Sequence, residues 1–331
     1  MNALDRVAGL QRNQMPELMP RVVSLPEGPS TTAITSPARL VATPVWRAYW
    51  ELTKPKIVAL IVFTSFVGML MARRGLPRWD MPLWAALGIA LSSGCAAVLN
   101  HVLDRHIDER MARTRMRPLP AGKVTPRRAM IFACVLGVTG TVVLARFVNG
   151  LTAVLTVAAL IGYGYIYTAW LKRATPQNIV IGGAAGAAAP VLGWTAVADR
   201  VELGALILFS IILLWTPPHF WSLAIARRRE YALTGIPMLP VTHGVPYTQS
   251  QIVSYTILLW FVTMLPALVG MTGMIYLIAA LVLDSRFLYL AVKLKTHPLP
   301  NLPMRVFRYS ISYLAWLFAA LLVDHYWHLP L

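Results

Sequence analysis

From residue 56 to residue 324 the chain alternates between apolar runs and short polar breaks rich in arginine, lysine, proline and glycine. Read by length, the runs are 56–73, 82–100, 129–148, 151–169, 178–197, 203–225, 251–270, 273–292 and 306–324. Each is long enough to cross a bilayer as one helix, for which about 20 apolar residues suffice. The pattern therefore predicts an all-α membrane protein of nine transmembrane helices. Ser92, Ser93, Gly94 and Cys95 interrupt the second run, and Gly182, Gly183, Gly186 and Pro190 mark the fifth. Small and weakly polar residues of this kind suit helices packed inside a bundle, or a wall that leaves room for a ligand.

Composition agrees. The 331 residues are 57% hydrophobic and 13% charged, against about 25% charged in soluble domains, and the mean hydropathy is +0.60. The net charge of +17 is divided among short loops between spans. That division disfavours nucleic acid and favours anionic lipid headgroups or a phosphorylated substrate. Cys95 and Cys134 both lie in apolar runs without metal or haem-attachment spacing, and read as packing residues.

Residues 1–45 mix Pro, Ser and Thr with scattered charges and read as a disordered cytoplasmic extension preceding a domain over 46–331. No early apolar run resembles a signal peptide, and Asp5, Glu17 and Glu27 weigh against a transit peptide. Loops after even-numbered spans hold Arg105 to Arg128, Lys172 and Arg173, Arg227 to Arg229, and Lys293, Lys295 and Arg305. Loops after odd-numbered spans hold only Arg73, Arg74, Arg78, Arg146 and Arg200. The positive-inside rule then puts the N-terminus in the cytoplasm and the C-terminus in the periplasm of a bacterial inner membrane.

The chemistry begins where the second run ends. Asn100, Asp104 and Asp108 are spaced four apart, so on a helix they stack on one face. Two carboxylates and an amide there form an oxygen surface whose like charges need compensation. Mg²⁺ meets that need, since it takes one or two carboxylates and leaves its other positions to water and substrate phosphates. Arg113, Arg115, Arg117 and Lys123 follow, cations suited to phosphate oxygens. By helix angle His101 and His106 are expected to point away from this face.

Two further clusters stand at loops of the same side. After span four come Tyr163, Tyr167, Thr168, Lys172, Arg173 and Asn178. Lys172 and Arg173 are either a lipid anchor or, with a tyrosine and an amide beside the aspartates, ligands of a diphosphate. In and after span six come Pro217, Pro218, His219, Arg227 to Arg229, Glu230 and Tyr231. Prolines inside a span are tolerated where neighbours or a cavity satisfy the freed backbone. His219 either bonds a neighbouring helix or contacts a porphyrin. Glu230 either reaches a second metal or pairs with an arginine. No HExxH, GxSxG or Walker pattern occurs, so ATP-driven work has no support.

Together the strings NHVLDRHIDERMARTRMRPLPAG (Asn100 to Gly122), YTAWLKRATPQNIVIGGAAGA (Tyr167 to Ala187) and HFW…REYALTGIPMLPV (His219 to Val241) resemble the UbiA superfamily of membrane prenyltransferases, and within it the haem O synthase branch. The resemblance runs from about Trp46 to the end. It implies nine helices around a central cavity, and Mg²⁺ on Asn100, Asp104 and Asp108 holding farnesyl diphosphate. It implies diphosphate contacts from Arg113, Arg117, Lys172 and Arg173. Glu230 beside Tyr231 stands where that branch more often has Asp-Tyr, which weakens a second metal there. The implied reaction transfers farnesyl to a vinyl group of haem B, giving haem O for terminal oxidases, with haem A synthase or oxidase assembly factors as possible partners. Trp194, Trp215, Phe220 and Trp221 are expected to shield the allylic cation. The competing readings are a prenyltransferase with an aromatic quinone-precursor acceptor, which the haem-branch strings oppose, and a haem or lipid transporter, which would not need an Asn–Asp–Asp face.

Overall fold

The computed structural model describes residues 44–327, apart from residues 74, 76, 77, 112 and 298 and the side chains of Arg173 and Thr234. The reading of the N-terminal stretch as a disordered extension falls on residues 1–43 and so lies outside the described residues.

Among the described residues the chain is helical, without strands. α1 (Val45–Leu52) and α2 (Pro55–Met71) meet at a 46° bend, and the pair makes one broken span. α3 (Asp80–Arg110) and α4 (Pro126–Phe147) follow. α5 (Gly150–Ile161) runs into a π-helical segment (Gly162–Leu171) and the single turn α6 (Lys172–Ala174). Then come α7 (Asn178–Ala198), α8 (Leu203–Ala226), α9 (Arg228–Thr234), α10 (Leu239–Thr242), α11 (Val245–Leu268), α12 (Met274–Thr296) and α13 (Leu302–Tyr326). Eight helical stretches are each long and apolar enough to span a membrane, and the bent α1–α2 pair brings the number to nine. The apolar pattern located all nine. It stopped α3 ten residues early, because the helix continues to Arg110 after the hydrophobic run has ended.

That continuation decides where the candidate site lies. At 1.5 Å per residue a helix of this length is about 46 Å long, against a hydrocarbon core of about 30 Å. The last turns of α3, from Asn100 on, therefore belong at the polar end of the bundle. Chain connectivity brings the α3–α4, π segment–α7 and α8–α11 connections to the same end, and the start of α2 with them.

Burial sorts the helices into inner and outer ones. In α3, α7 and α8, 56% of the apolar window is buried, against 22% in α4 and in Gly150–Leu171. The interior expectation for the second and fifth spans therefore holds. α7 lies so close to α2 that a Cβ on Gly193 would sit 1.8 Å from the Ser65 carbonyl oxygen, and one on Gly68 would sit 2.1 Å from that of Pro190. Missing side chains let the two backbones touch, the usual means of packing helices in lipid.

Buried polar groups lock the C-terminal helices. Asp324 of α13 accepts hydrogen bonds from the backbone N–H groups of Gly273, Ile275 (3.1 Å) and Tyr276 (3.3 Å), so it caps α12 from a neighbouring helix. A carboxylate there also complements the positive end of the α12 dipole. Further along α12, Asp284 accepts from Thr263 of α11 (2.6 Å) and Tyr313 of α13 (2.5 Å), which ties three helices together.

Candidate active site

The end of α3 presents Asn100, Asp104 and Asp108 on one face, only 6, 3 and 4% exposed. Carboxylates so buried need partners; two cations supply them and a third bonds the amide, each from a different element. Lys54, at the α1–α2 bend, donates to Asn100 Oδ1. Lys172, in α6, donates to Asp104 Oδ2 at 2.5 Å. Arg117, in the α3–α4 loop, reaches both oxygens of Asp108 at 2.8 Å. Asn100 Nδ2 donates to Asp104 Oδ2 (2.9 Å), which holds the amide oxygen turned toward Lys54.

Each cation is placed by its local backbone. Lys54 has φ 52 and ψ 59, a left-handed conformation, directly before Pro55. That region is costly for a side-chain-bearing residue, and proline disfavours it further. Such strain collects at functional sites, where surrounding structure enforces it. Lys172 follows the π-helical turns, whose wider hydrogen bonding is often found at functional sites. In this segment Thr168 Oγ1 donates to the Tyr163 carbonyl (2.7 Å) and lies 3.4 Å from Asn100 Nδ2. The Tyr163 and Tyr167 rings stack with centroids 5.4 Å apart. Gly182 leaves room for the Tyr167 ring, since a Cβ there would meet it at 2.3 Å. Asn178 donates to the Lys172 carbonyl at 3.2 Å. This bond braces the turn that carries Lys172, while Asn178 Oδ1 is buried without a hydrogen-bond partner.

His101 corrects an expectation. It lies one residue past Asn100, about 100° around the helix, while Asp108 lies about 80° around, so the two are on nearly the same side. Its Nδ1 is 3.9 Å from Asp108 Oδ2, its side chain is buried, and neither ring nitrogen has a hydrogen-bond partner. His106 does point outward, beside Glu109.

The remaining candidates are distributed around this core. Arg113 is exposed in the α3–α4 loop. Tyr231, on α9, has its hydroxyl pushed above the usual phenol range by burial, against the opposing pull of Arg113 and Arg227, so α9 and the α3–α4 loop are neighbours. Glu230 has Arg227 as its ion-pair partner at 3.5 Å, the second of the alternatives left open for it. Arg173 stands in α6, its side chain outside the described residues. His219 is 8% exposed, sandwiched between Trp215 (4.3 Å) and Phe307 (4.6 Å), with Nδ1 2.6 Å from Ser310 Oγ. Of the four aromatic residues expected to shield the cation, Trp215 and Trp221 are buried in α8. Trp194 donates to Glu202 at the opposite end of the bundle (2.9 Å), and Phe220 is 42% exposed. The aromatic pair beside the aspartates is Tyr163 and Tyr167. Lys54 was not picked out by the sequence. A lysine at the mouth of a span looks like an ordinary lipid anchor.

The donor set fits a hard divalent ion. Asp104 Oδ1 is buried and has no hydrogen-bond partner, a costly state for a carboxylate oxygen unless a ligand completes it. Two carboxylates and an amide oxygen suit Mg²⁺ that keeps its other positions for phosphate and water. Among the described residues no cluster of three or more His, Cys, Asp or Glu side chains forms a cage that would hold a metal unaided.

The comparisons agree with this geometry. The family model of UbiA prenyltransferases matches residues 61–322. The chain is 55% identical over 281 residues to the protoheme IX farnesyltransferase of Methylococcus capsulatus, covering 85% of this chain and 94% of that protein. It is 56% identical over 285 residues to the protoheme IX farnesyltransferase of Marinobacter nauticus, covering 86% and 94%. Among solved structures it resembles one described as digeranylgeranylglyceryl phosphate synthase (TM-score 0.74, 20% identity, 86% of this chain and 99% of that one). It also resembles a UbiA homolog from Archaeoglobus fulgidus bound to GPP and Mg²⁺ (TM-score 0.55, 17% identity, 83% and 99%). With its helical fold, nine spans and cation-bound Asn–Asp–Asp face, the chain belongs to the UbiA prenyltransferase family.

Proposed function

We propose that this protein is a Mg²⁺-dependent farnesyltransferase that moves the farnesyl group of farnesyl diphosphate onto a vinyl group of haem B, giving haem O. The observation that carries the prenyl-transfer half is the buried Asn100–Asp104–Asp108 face with Lys54, Lys172 and Arg117 upon it. The haem half is supported by relatives more than half identical over nearly their whole length that bear the protoheme IX farnesyltransferase name.

Bound Mg²⁺ supplies positive charge to the diphosphate oxygens, and Asn100, Asp104 and Asp108 would hold it. Lys54, Lys172 and Arg117 bind the same diphosphate and, with Arg113 and Arg173 as further contacts, stabilise the charge it gains as it leaves. The allylic C–O bond breaks with its electron pair going to the diphosphate. The stacked Tyr163 and Tyr167 stand beside the aspartates and offer ring faces to the cation left behind. The vinyl π pair then forms the new C–C bond, and water adds to the resulting cation with loss of a proton, which gives the hydroxyethylfarnesyl group. His219 is the candidate haem contact, through the imidazole edge away from Ser310. Glu230 and Tyr231 on α9 close the side nearest Arg113.

We place the site on the cytoplasmic face of a bacterial inner membrane, N-terminus inside and C-terminus outside. The connections on the site's side carry most of the loop arginine and lysine. Both substrates and the product are amphipathic, so exchange through the bilayer, and handover to haem A synthase or oxidase assembly factors, suit this placement. The test is the purified chain incubated with haem B, farnesyl diphosphate and Mg²⁺, with products read by mass spectrometry. Haem enlarged by a farnesyl group and one hydroxyl group is expected. Unchanged haem, with farnesyl found on an added hydroxybenzoate instead, would replace haem by a quinone precursor as acceptor.

A further inference from the structure

The three members of the metal-binding face do not share one counter-charge. Each has its own cation, delivered by a separate element: Lys54 on Asn100, Lys172 on Asp104, Arg117 on Asp108. These contacts use the same oxygens a metal would need. Arg117 takes both oxygens of Asp108, Lys172 takes one of Asp104, and Lys54 takes the amide oxygen. Among the face's oxygens, Asp104 Oδ1 alone lacks a hydrogen-bond partner.

The charge balance points the same way. Three cations against two carboxylates leave the cluster with one positive charge. A divalent ion arriving alone would raise it to three, in a buried setting where like charges repel strongly. A divalent ion arriving with a trianionic diphosphate ester brings the cluster to neutrality. The two lysines are well built for such an exchange, being compact charges on flexible four-carbon stems. Arg117 sits in a loop, and its planar fork fits a phosphate as well as a carboxylate.

We propose that Lys54, Lys172 and Arg117 form an internal cation lock, which makes metal binding conditional on the prenyl diphosphate. In the resting state the three side chains occupy the metal's ligands. When the diphosphate enters, they transfer to its oxygens and release Asn100, Asp104 and Asp108 to the metal. Metal and diphosphate thus bind synergistically, and a divalent ion without diphosphate is largely refused. This inference rests on the metal reading of the face given above.

The test reads metal binding rather than turnover. Mn²⁺ bound to the purified full chain, without haem, is measured by electron paramagnetic resonance with and without farnesyl thiodiphosphate, an analogue slow to ionise. Protein-free controls correct for the Mn²⁺–analogue complex. In the unmodified protein the analogue is expected to tighten Mn²⁺ about tenfold or more, the scale of one charge-assisted hydrogen bond. Lys172→Gln and Arg117→Gln are expected to bind Mn²⁺ alone more tightly than the unmodified protein and to lose most of the synergy. Asp104→Asn is expected to abolish binding in both conditions. Equal Mn²⁺ affinity with and without analogue in the unmodified protein would overturn the lock while leaving the metal site in place. That comparison needs no variant to fold. Absence of Mn²⁺ binding in every condition would overturn the lock and the metal reading together.

Discussion

Position 54 separates backbone strain from chemistry. Lys54 adopts a left-handed backbone before a proline, and its ammonium group donates to Asn100. Replacing it by alanine or by glycine removes the same cation, so both variants lose one charge-assisted hydrogen bond. That loss is about 1.5–3 kcal/mol, roughly ten- to hundredfold in affinity for the diphosphate. The two differ only at the backbone. The left-handed region costs a residue with a Cβ about 1–2 kcal/mol, while glycine's extra freedom in the unfolded chain costs about 0.5–1 kcal/mol. Glycine should therefore be the more stable variant, by about 0.75 kcal/mol at the middle of these ranges, the reverse of their usual order in helical proteins. The assays are thermal unfolding in detergent and the Kd for farnesyl thiodiphosphate. The expected result is a higher unfolding midpoint for Lys54→Gly than for Lys54→Ala, with affinity weakened equally in both. Unchanged affinity would return Lys54 to a lipid anchor, and an alanine variant at least as stable as glycine would refute the strain argument.

Other consequences can be checked separately. Gly193→Ala should fail to accumulate as folded protein, because its Cβ falls 1.8 Å from the Ser65 carbonyl, whereas Gly186→Ala, with nothing within 4 Å of its Cβ, should express and unfold like the parent. Asp324→Ala strips the acceptor from the Gly273, Ile275 and Tyr276 N–H groups. It should cost about 1–3 kcal/mol, seen as a lower unfolding temperature, with Kd for the diphosphate analogue unchanged in the folded fraction. A reporter fused after Leu331 should register the periplasm, and one inserted near Gly244 should register the cytoplasm. The opposite pattern would reverse the side on which the site is placed.

Much of this architecture is written in the apolar periodicity, and the places where it is not have physical causes. The run ending at Asn100 closes where hydrophobicity falls, yet the helix persists to Arg110, because the cations on its acidic face remove the repulsion that would fray it. Spacing identified Asn100, Asp104 and Asp108 as one face. It should also have kept His101, whose angle falls beside Asp108. The π-helical turns that deliver Lys172 leave no mark in composition, since Gly162 to Leu171 reads as an ordinary apolar span. Lys54 was hidden because its partner, Asn100, is 46 residues away in sequence. Spacing allows His219 two roles, and the structure gives it a Ser310 hydrogen bond, two stacked rings and an edge contact with Phe220, so the bond to a neighbouring helix is present and the porphyrin contact stays a proposal.

The proposed mechanism requires the face at the end of α3 to drive ionisation of a prenyl diphosphate by way of a divalent ion. The most direct test is diphosphate release from farnesyl diphosphate, with haem B present, as Mg²⁺ is titrated into metal-stripped enzyme and into Asp104→Asn. Release is expected to be absent without Mg²⁺ and to saturate as it is added. In Asp104→Asn, which keeps shape but loses a charged ligand, release should fall by about two orders of magnitude or more, the scale of a lost electrostatic contact to the transition state. Release at the full rate without Mg²⁺, or an Asp104→Asn variant with the parent's rate and Mg²⁺ dependence, would contradict it.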